Sequence, residues 1–210
     1  MGLQSEITVE VLAPIDEIYR ILQQKGFFFK EQFKMIDYYF TGIECNAATT
    51  YRELISNSFL LRDIVLKRRY VAGEKSMLIH KHKKLDRDGN VIGEEKFQCE
   101  IGDTLAAIDV FKQSGLNNWC VKSITGHVFK HNKTQIELLI QEIDGLGFFM
   151  EIEEFEGQRG TNLQRIAELK KFAKSLGLPL GKDMHCKINF LLFLKSRRGK
   201  SSSRIYFGAP

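Results

Sequence analysis

Proline is nearly missing from this chain: three residues among 210, set against 17 glycines and 16 phenylalanines. A collagen-like repeat is excluded, and apolar segments broken by glycine turns point to sheet rather than to a helical bundle. Cysteine is sparse as well. Cys45, Cys99, Cys120 and Cys186 lie far apart with no C-x-x-C pair, so neither a zinc site nor a disulfide framework is signalled, and a reducing, cytoplasmic setting is expected. Long apolar runs are missing too. The most apolar stretch, Ile188 to Leu194 (INFLLFL), is far too short to span a bilayer and reads as a buried strand or helix segment. The opening MGLQSEITVEV has no basic region followed by an apolar one, so no export or membrane partner is expected.

A charge excess of one sign is also missing from most of the chain. The 31 basic and 26 acidic residues leave +5. Lys195, Arg197, Arg198, Lys200 and Arg204 account for all of it, within a final stretch, 195–210, that holds no acid. That end reads as a solvated tail, so nucleic acid is not an expected partner. With 43% hydrophobic and 27% charged residues and no internal repeat or linker, one folded domain is expected over 1–184. An apolar segment and basic tail follow at 185–210.

Several segments alternate as strands: Glu6 to Leu12, Phe27 to Phe40, Ser58 to Val71, Met77 to Lys84, Val91 to Ile101, Trp119 to Lys130, Gln135 to Ile143 and Phe148 to Phe155. Helical spacing marks 14–25, opened by Pro14 and stopped by Gly26, then 103–113 behind Asp103, and 162–176. Residues 41–57 show no firm periodicity and read as loop, and 72–75 as a turn.

Residues i and i+2 of a strand share a face. Glu6 joins Glu10, Lys81 joins Lys83, Lys96 joins Gln98 and Glu100, and Glu151 joins Glu153, while the opposite faces carry Ile7, Val9, Val11, Phe97, Cys99, Met150 and Ile152. A solvated sheet face does not require charges sorted by sign. Paired carboxylates repel, and a hard cation relieves that repulsion, while lysine and arginine neutralise phosphate.

The stretch QEIDGLGFFMEIEEF, residues 141–155, resembles the late strand pair of the CYTH superfamily of triphosphate tunnel metalloenzymes, with its Gly145-Leu146-Gly147 turn, Phe149, and the pair Glu151 and Glu153. Met77 to Lys81, Lys96-x-Gln98-x-Glu100, Val121-Lys122, and Gln32 with Asp37 to Phe40 are similar to further motifs of that family. Thr8 and Glu10 stand where the family has an acid and a lysine, and Ile124 where it has an arginine. The acid ahead of the glycine turn corresponds to Gln141 or Glu142, and the L-R-x-R strand to Leu61-Arg62 or to Leu66 through Arg69.

The resemblance implies an α+β fold, a closed antiparallel β-barrel forming a tunnel with helices packed on the outside. It implies Mg²⁺ or Mn²⁺ held by Glu6, Glu100, Glu151 and Glu153, and catalysis involving Glu6, Glu10, Lys81, Glu151 and Glu153. It also implies phosphate binding by Lys81, Lys83, Lys96 and Lys122, with Arg62, Lys67 or Arg69 from the strand of open register. The expected partner is a small-molecule triphosphate or nucleotide, with homodimerisation left open. The expected activity is metal-dependent triphosphate hydrolysis. The alternatives are a class IV-type adenylyl cyclase, a barrel that binds polyphosphate or nucleotide without turnover, and an RNA 5′-triphosphatase.

Overall fold

The computed structural model describes residues 5–46, 48–56, 58–67, 72–85, 91–134, 136–153 and 160–199, with side chains undescribed at 56, 58–59, 63–67, 72–75, 81–85, 91–94 and 198–199. Its strands are β1 (Glu6–Val11), β2 (Phe27–Thr41), β3 (Ser58–Lys67), β4 (Ala72–Leu85), β5 (Val91–Ile101), β6 (Asn117–His131), β7 (Glu137–Ile143) and β8 (Gly147–Glu153). The helices are α1 (Ile15–Gln24), α2 (Tyr51–Ser56), α3 (Thr104–Gln113), α4 (Asn162–Ser175) and α5 (Ile188–Gly199). All eight strands join one antiparallel sheet in the order β1-β8-β7-β6-β2-β3-β4-β5.

Local chemistry sets most boundaries. Pro14 precedes α1, whose first turn carries Asp16 and Glu17 where the helix dipole favours acids, and Gly26 ends it with φ 84. Asp103 caps α3 by accepting from the Ala106 N–H, and Thr161 with Gln164 forms a capping box on α4. Two expectations are corrected. Residues 51–56 of the presumed loop are helical: Thr50 and Glu53 bond reciprocally across the first turn. The presumed turn at 72–75 is the start of β4, where Lys75 and Glu74 pair with Ile64 and Val65.

The apolar strand faces are covered by helices. Ile7, Val9 and Val11 of β1, Leu138 and Ile140 of β7, and Met150 and Ile152 of β8 bury against Ile18 and Leu22 of α1 and Ile166, Leu169 and Ala173 of α4. Farther along the sheet, Phe40 and Leu61 bury against Ile108 of α3. The sheet curls far enough that α4 lies against both of its edge strands, β1 and β5.

The expected barrel closure is not there: β1 and β5 are the two ends of the sheet and do not pair in the described residues. The free edge of β1 is satisfied by the segment leading into α5. Leu12 N–H donates to Pro179 O, Gly181 N–H to Glu10 O and Cys186 N–H to Thr8 O, at 2.7, 2.9 and 2.9 Å. Backbone groups engaged in this way cannot accept another strand.

The inner face is not uniformly polar. Registered neighbours across it include Phe33, Met35, Ile124, Ile143 and Phe149, and α5 packs there through Ile188 and Leu192. Phe33 crosses β6 at Gly126, where a Cβ would stand 2.4 Å from the ring. Phe193 of α5 buries against Leu54, Trp119 and Cys120. Lys195 and Arg197 fasten the helix by donating to the carbonyls of Gly145 and Cys45. The apolar septet is therefore helical and covers one part of the inner face. The remainder of that face is mixed: Leu60, Met77 and Ile79 form a further buried apolar cluster on it, and two groups of charged side chains lie beside the apolar parts. No helix among the described residues is long and apolar enough to cross a membrane.

Candidate functional site

Two charged clusters share the inner face. The first arises where β1 meets β8. Glu6 stands opposite Glu153 and Thr8 opposite Glu151, so alternation and register together place three carboxylates on one patch. One oxygen from each of Glu6, Glu151 and Glu153 lies within 4.8 Å of the others, with Glu6 and Glu151 partly buried and Glu153 exposed. Next to them Gln141 of β7 is buried, at 2% exposure, and donates through Nε2 to Glu151 Oε2. Its Oε1 is buried with no hydrogen-bond partner among the described residues. Register resolves the alternative left by the sequence, because Gln141 faces inward opposite Phe149 and Gly126, whereas Glu142 points to the other face.

The second cluster joins β2, β3 and β6. Asp37 stands opposite Arg62 on one side and Lys122 on the other. Arg62 donates through Nε to Oδ1 at 2.6 Å and through a terminal nitrogen to Oδ2 at 2.8 Å. Lys122 Nζ lies 3.4 Å from Oδ2, and the Tyr39 hydroxyl donates to it at 3.3 Å. Asp37 is fully buried. Burial pushes its pKa up, but Lys122 and Arg62 outweigh burial and hold the carboxyl below its ordinary value. Burial opposes the Arg62 charge, yet Asp37 raises its pKa further, with a contribution from Glu151 across the inner face. Burial raises the Tyr39 pKa well above normal, and that of Cys120 to about 12.

The remaining expected site residues separate. Glu10 shares the inner face of β1 but stands opposite Phe149, its side chain against Gly181, outside the three-carboxylate group. Glu100 is exposed on β5, opposite Met77, and does not join that group. Lys96 is exposed on the same strand and pairs with Lys81. Register puts Lys81 and Lys83 on the same face as Met77 and Ile79, but their side chains, and that of Lys67, lie outside the described set. Arg69 lies outside the described residues. Arg62 and Lys122 face inward, and both are engaged by Asp37, whose role as their counter-ion the sequence reading missed. The available signal was an acid in the middle of a strand flanked at i±2 by Met35 and Tyr39, a position where an unpaired carboxylate is not tolerated.

The cluster on β1 and β8 suits a hard divalent cation. Three carboxylates at mutual ligand spacing form an all-oxygen donor set of the kind taken by Mg²⁺ or Mn²⁺.

No protein-family model matches the chain, and no curated protein matches it. Solved structures do. The PH1819 protein of Pyrococcus horikoshii is 18% identical with a TM-score of 0.65, the match covering 92% of this chain and 99% of that one. A conserved hypothetical protein of Pyrococcus furiosus is 21% identical with a TM-score of 0.62, over 90% and 99%. A Vibrio parahaemolyticus protein named "putative adenylate cyclase" is 14% identical with a TM-score of 0.58, over 88% and 95%. At these identities the likeness establishes the shared α+β fold and nothing finer.

Proposed function

We propose that the chain is a metal-dependent phosphohydrolase of the CYTH kind, which binds a small triphosphate against the charged part of the inner face. The observation that carries this reading is the convergence of Glu6, Glu151 and Glu153 from two adjacent strands. A divalent ion held there would neutralise charge on phosphate oxygens. Glu151 is oriented toward this group by the Gln141 amide. Lys96 of β5, on the same inner face, supplies an ammonium group for the outer phosphates. Arg62 and Lys122 exceed Asp37 by one positive charge and give the middle of the face a net cationic field. Phosphoryl transfer to water then depends mainly on positioning and charge stabilisation, because the transferring group needs little covalent help. α5 excludes water from the adjoining apolar part of the face.

A second reading, ligand binding without turnover, is favoured by one observation. Arg62 and Lys122 already share Asp37, and Ile124, where the resemblance expects an arginine, is buried beneath α5. The discriminating experiment measures phosphate release from tripolyphosphate, ATP and thiamine triphosphate with Mg²⁺ or Mn²⁺, with cyclic AMP assayed in the ATP reaction. Metal-dependent phosphate release, abolished by combined Glu151→Ala and Glu153→Ala, supports the hydrolase. Cyclic AMP with pyrophosphate would replace it by a cyclase, and binding without any product by the second reading.

A further inference from the structure

Gln141 is an odd residue for its place. Its strand neighbours across the inner face are Gly126 and Phe149, Ile143 lies two residues on, and the side chain is 2% exposed. An apolar side chain would pack there without difficulty. The glutamine instead buries a carbonyl oxygen that finds no donor among the described residues, which costs free energy relative to an apolar replacement. The same amide is fixed at its other end, since Nε2 donates to Glu151 Oε2. That bond sets which atom is which: an ionised carboxylate accepts only, so the nitrogen faces Glu151 and the oxygen is left facing the interior. The bond also sets the position of Oε1, because the two ends of one amide are rigidly joined, and a neutral oxygen therefore sits beside a group of three carboxylates.

We propose that Gln141 is the uncharged member of this cation site: its nitrogen positions Glu151, and its orphaned oxygen is the acceptor for the cation or for a water bound to it. The proposal rests on the cation site described under Proposed function and deepens it. Charge explains why an amide serves better than an acid. Glu6, Glu151 and Glu153 already exceed the charge of one divalent ion, and a fourth carboxylate in contact with Glu151 would add repulsion that one ion does not offset. The amide adds an oxygen without adding charge.

The test is calorimetric titration of the metal-free full chain with Mn²⁺, alongside its melting temperature with and without the ion, for the wild type, Gln141→Leu, Gln141→Glu and Glu151→Ala. In the wild type Mn²⁺ binds, and Glu151→Ala weakens it. Gln141→Leu weakens Mn²⁺ binding by about 10–100-fold, as loss of an outer partner does at metal sites, while its metal-free melting temperature holds or rises because the orphaned acceptor is gone. Gln141→Glu melts lower than the wild type without metal, and Mn²⁺ does not restore it to the melting temperature of the Mn²⁺-bound wild type. A Gln141→Leu protein that binds Mn²⁺ like the wild type overturns the role of Gln141 and leaves the site standing. A Gln141→Leu protein that melts lower without metal shows a structural glutamine and overturns it equally. Absence of Mn²⁺ binding in the wild type, or binding indifferent to Glu151→Ala, removes the cation site itself, and the role of Gln141 falls with it.

Discussion

The carboxylates where β1 meets β8 and the carboxylate on β2 lie on one inner face, yet they have opposite circumstances. Asp37 is fully buried and surrounded by Arg62, Lys122 and Tyr39, so its charge is answered within the protein. Glu6, Glu151 and Glu153 face one another, partly open to solvent, with Gln141 beside them and an acceptor left over. The difference separates structure from function. A buried charge with its counter-ions in place holds strands together, whereas three carboxylates brought together by register repel one another, a repulsion that a bound cation would relieve.

Breaking the two clusters should therefore give opposite phenotypes. The largest effect is expected from Glu151→Ala with Glu153→Ala, which should reduce Mn²⁺ affinity by more than the roughly 100-fold that an outer partner controls, measured by calorimetry, with the chain still folded. Next is Asp37→Asn, which leaves two inner cations without their counter-ion and should cost about 3–5 kcal/mol of stability, read from urea unfolding. Acid should imitate that variant. The Asp37 pKa is lowered in the folded chain, so its contribution is complete above the ordinary aspartate value of about 3.9 and is lost as pH falls through the lower folded value. Stability followed below pH ~4 should decline less steeply in Asp37→Asn than in the wild type. The smallest effect is expected from Glu6→Gln, which relieves repulsion in a partly exposed group and should change metal-free stability by no more than about 0.5 kcal/mol.

The strands and helices α1, α3 and α4 were legible because their periodicities are strong, as in Glu6 to Val11 and in the Thr161 to Ser175 segment. Three of the four carboxylates expected to hold a cation do come together, since Glu-x-Glu spacing fixes a common face for Glu151 and Glu153 and β1 supplies Glu6, whereas Glu100 stands apart. Three features were not legible. Helix α2 is six residues long, too short for an apolar stripe, although its Thr50-x-x-Glu53 capping box was there to be read. The inward side of β3 depends on its register with β2, and the pairing of Arg62 with Asp37 decides it. The placement of α5 depends on long-range packing: Ile188 to Leu194 announces burial but not what it is buried against, and its route along β1 occupies the edge that barrel closure would have needed.

The most direct test is equilibrium binding of tripolyphosphate to the full chain, with and without Mn²⁺, in the wild type and in Glu151→Ala. Binding that needs Mn²⁺ and is lost in Glu151→Ala is the predicted result. Equal binding without Mn²⁺, or equal binding by Glu151→Ala, would contradict a cation-dependent triphosphate site at these carboxylates.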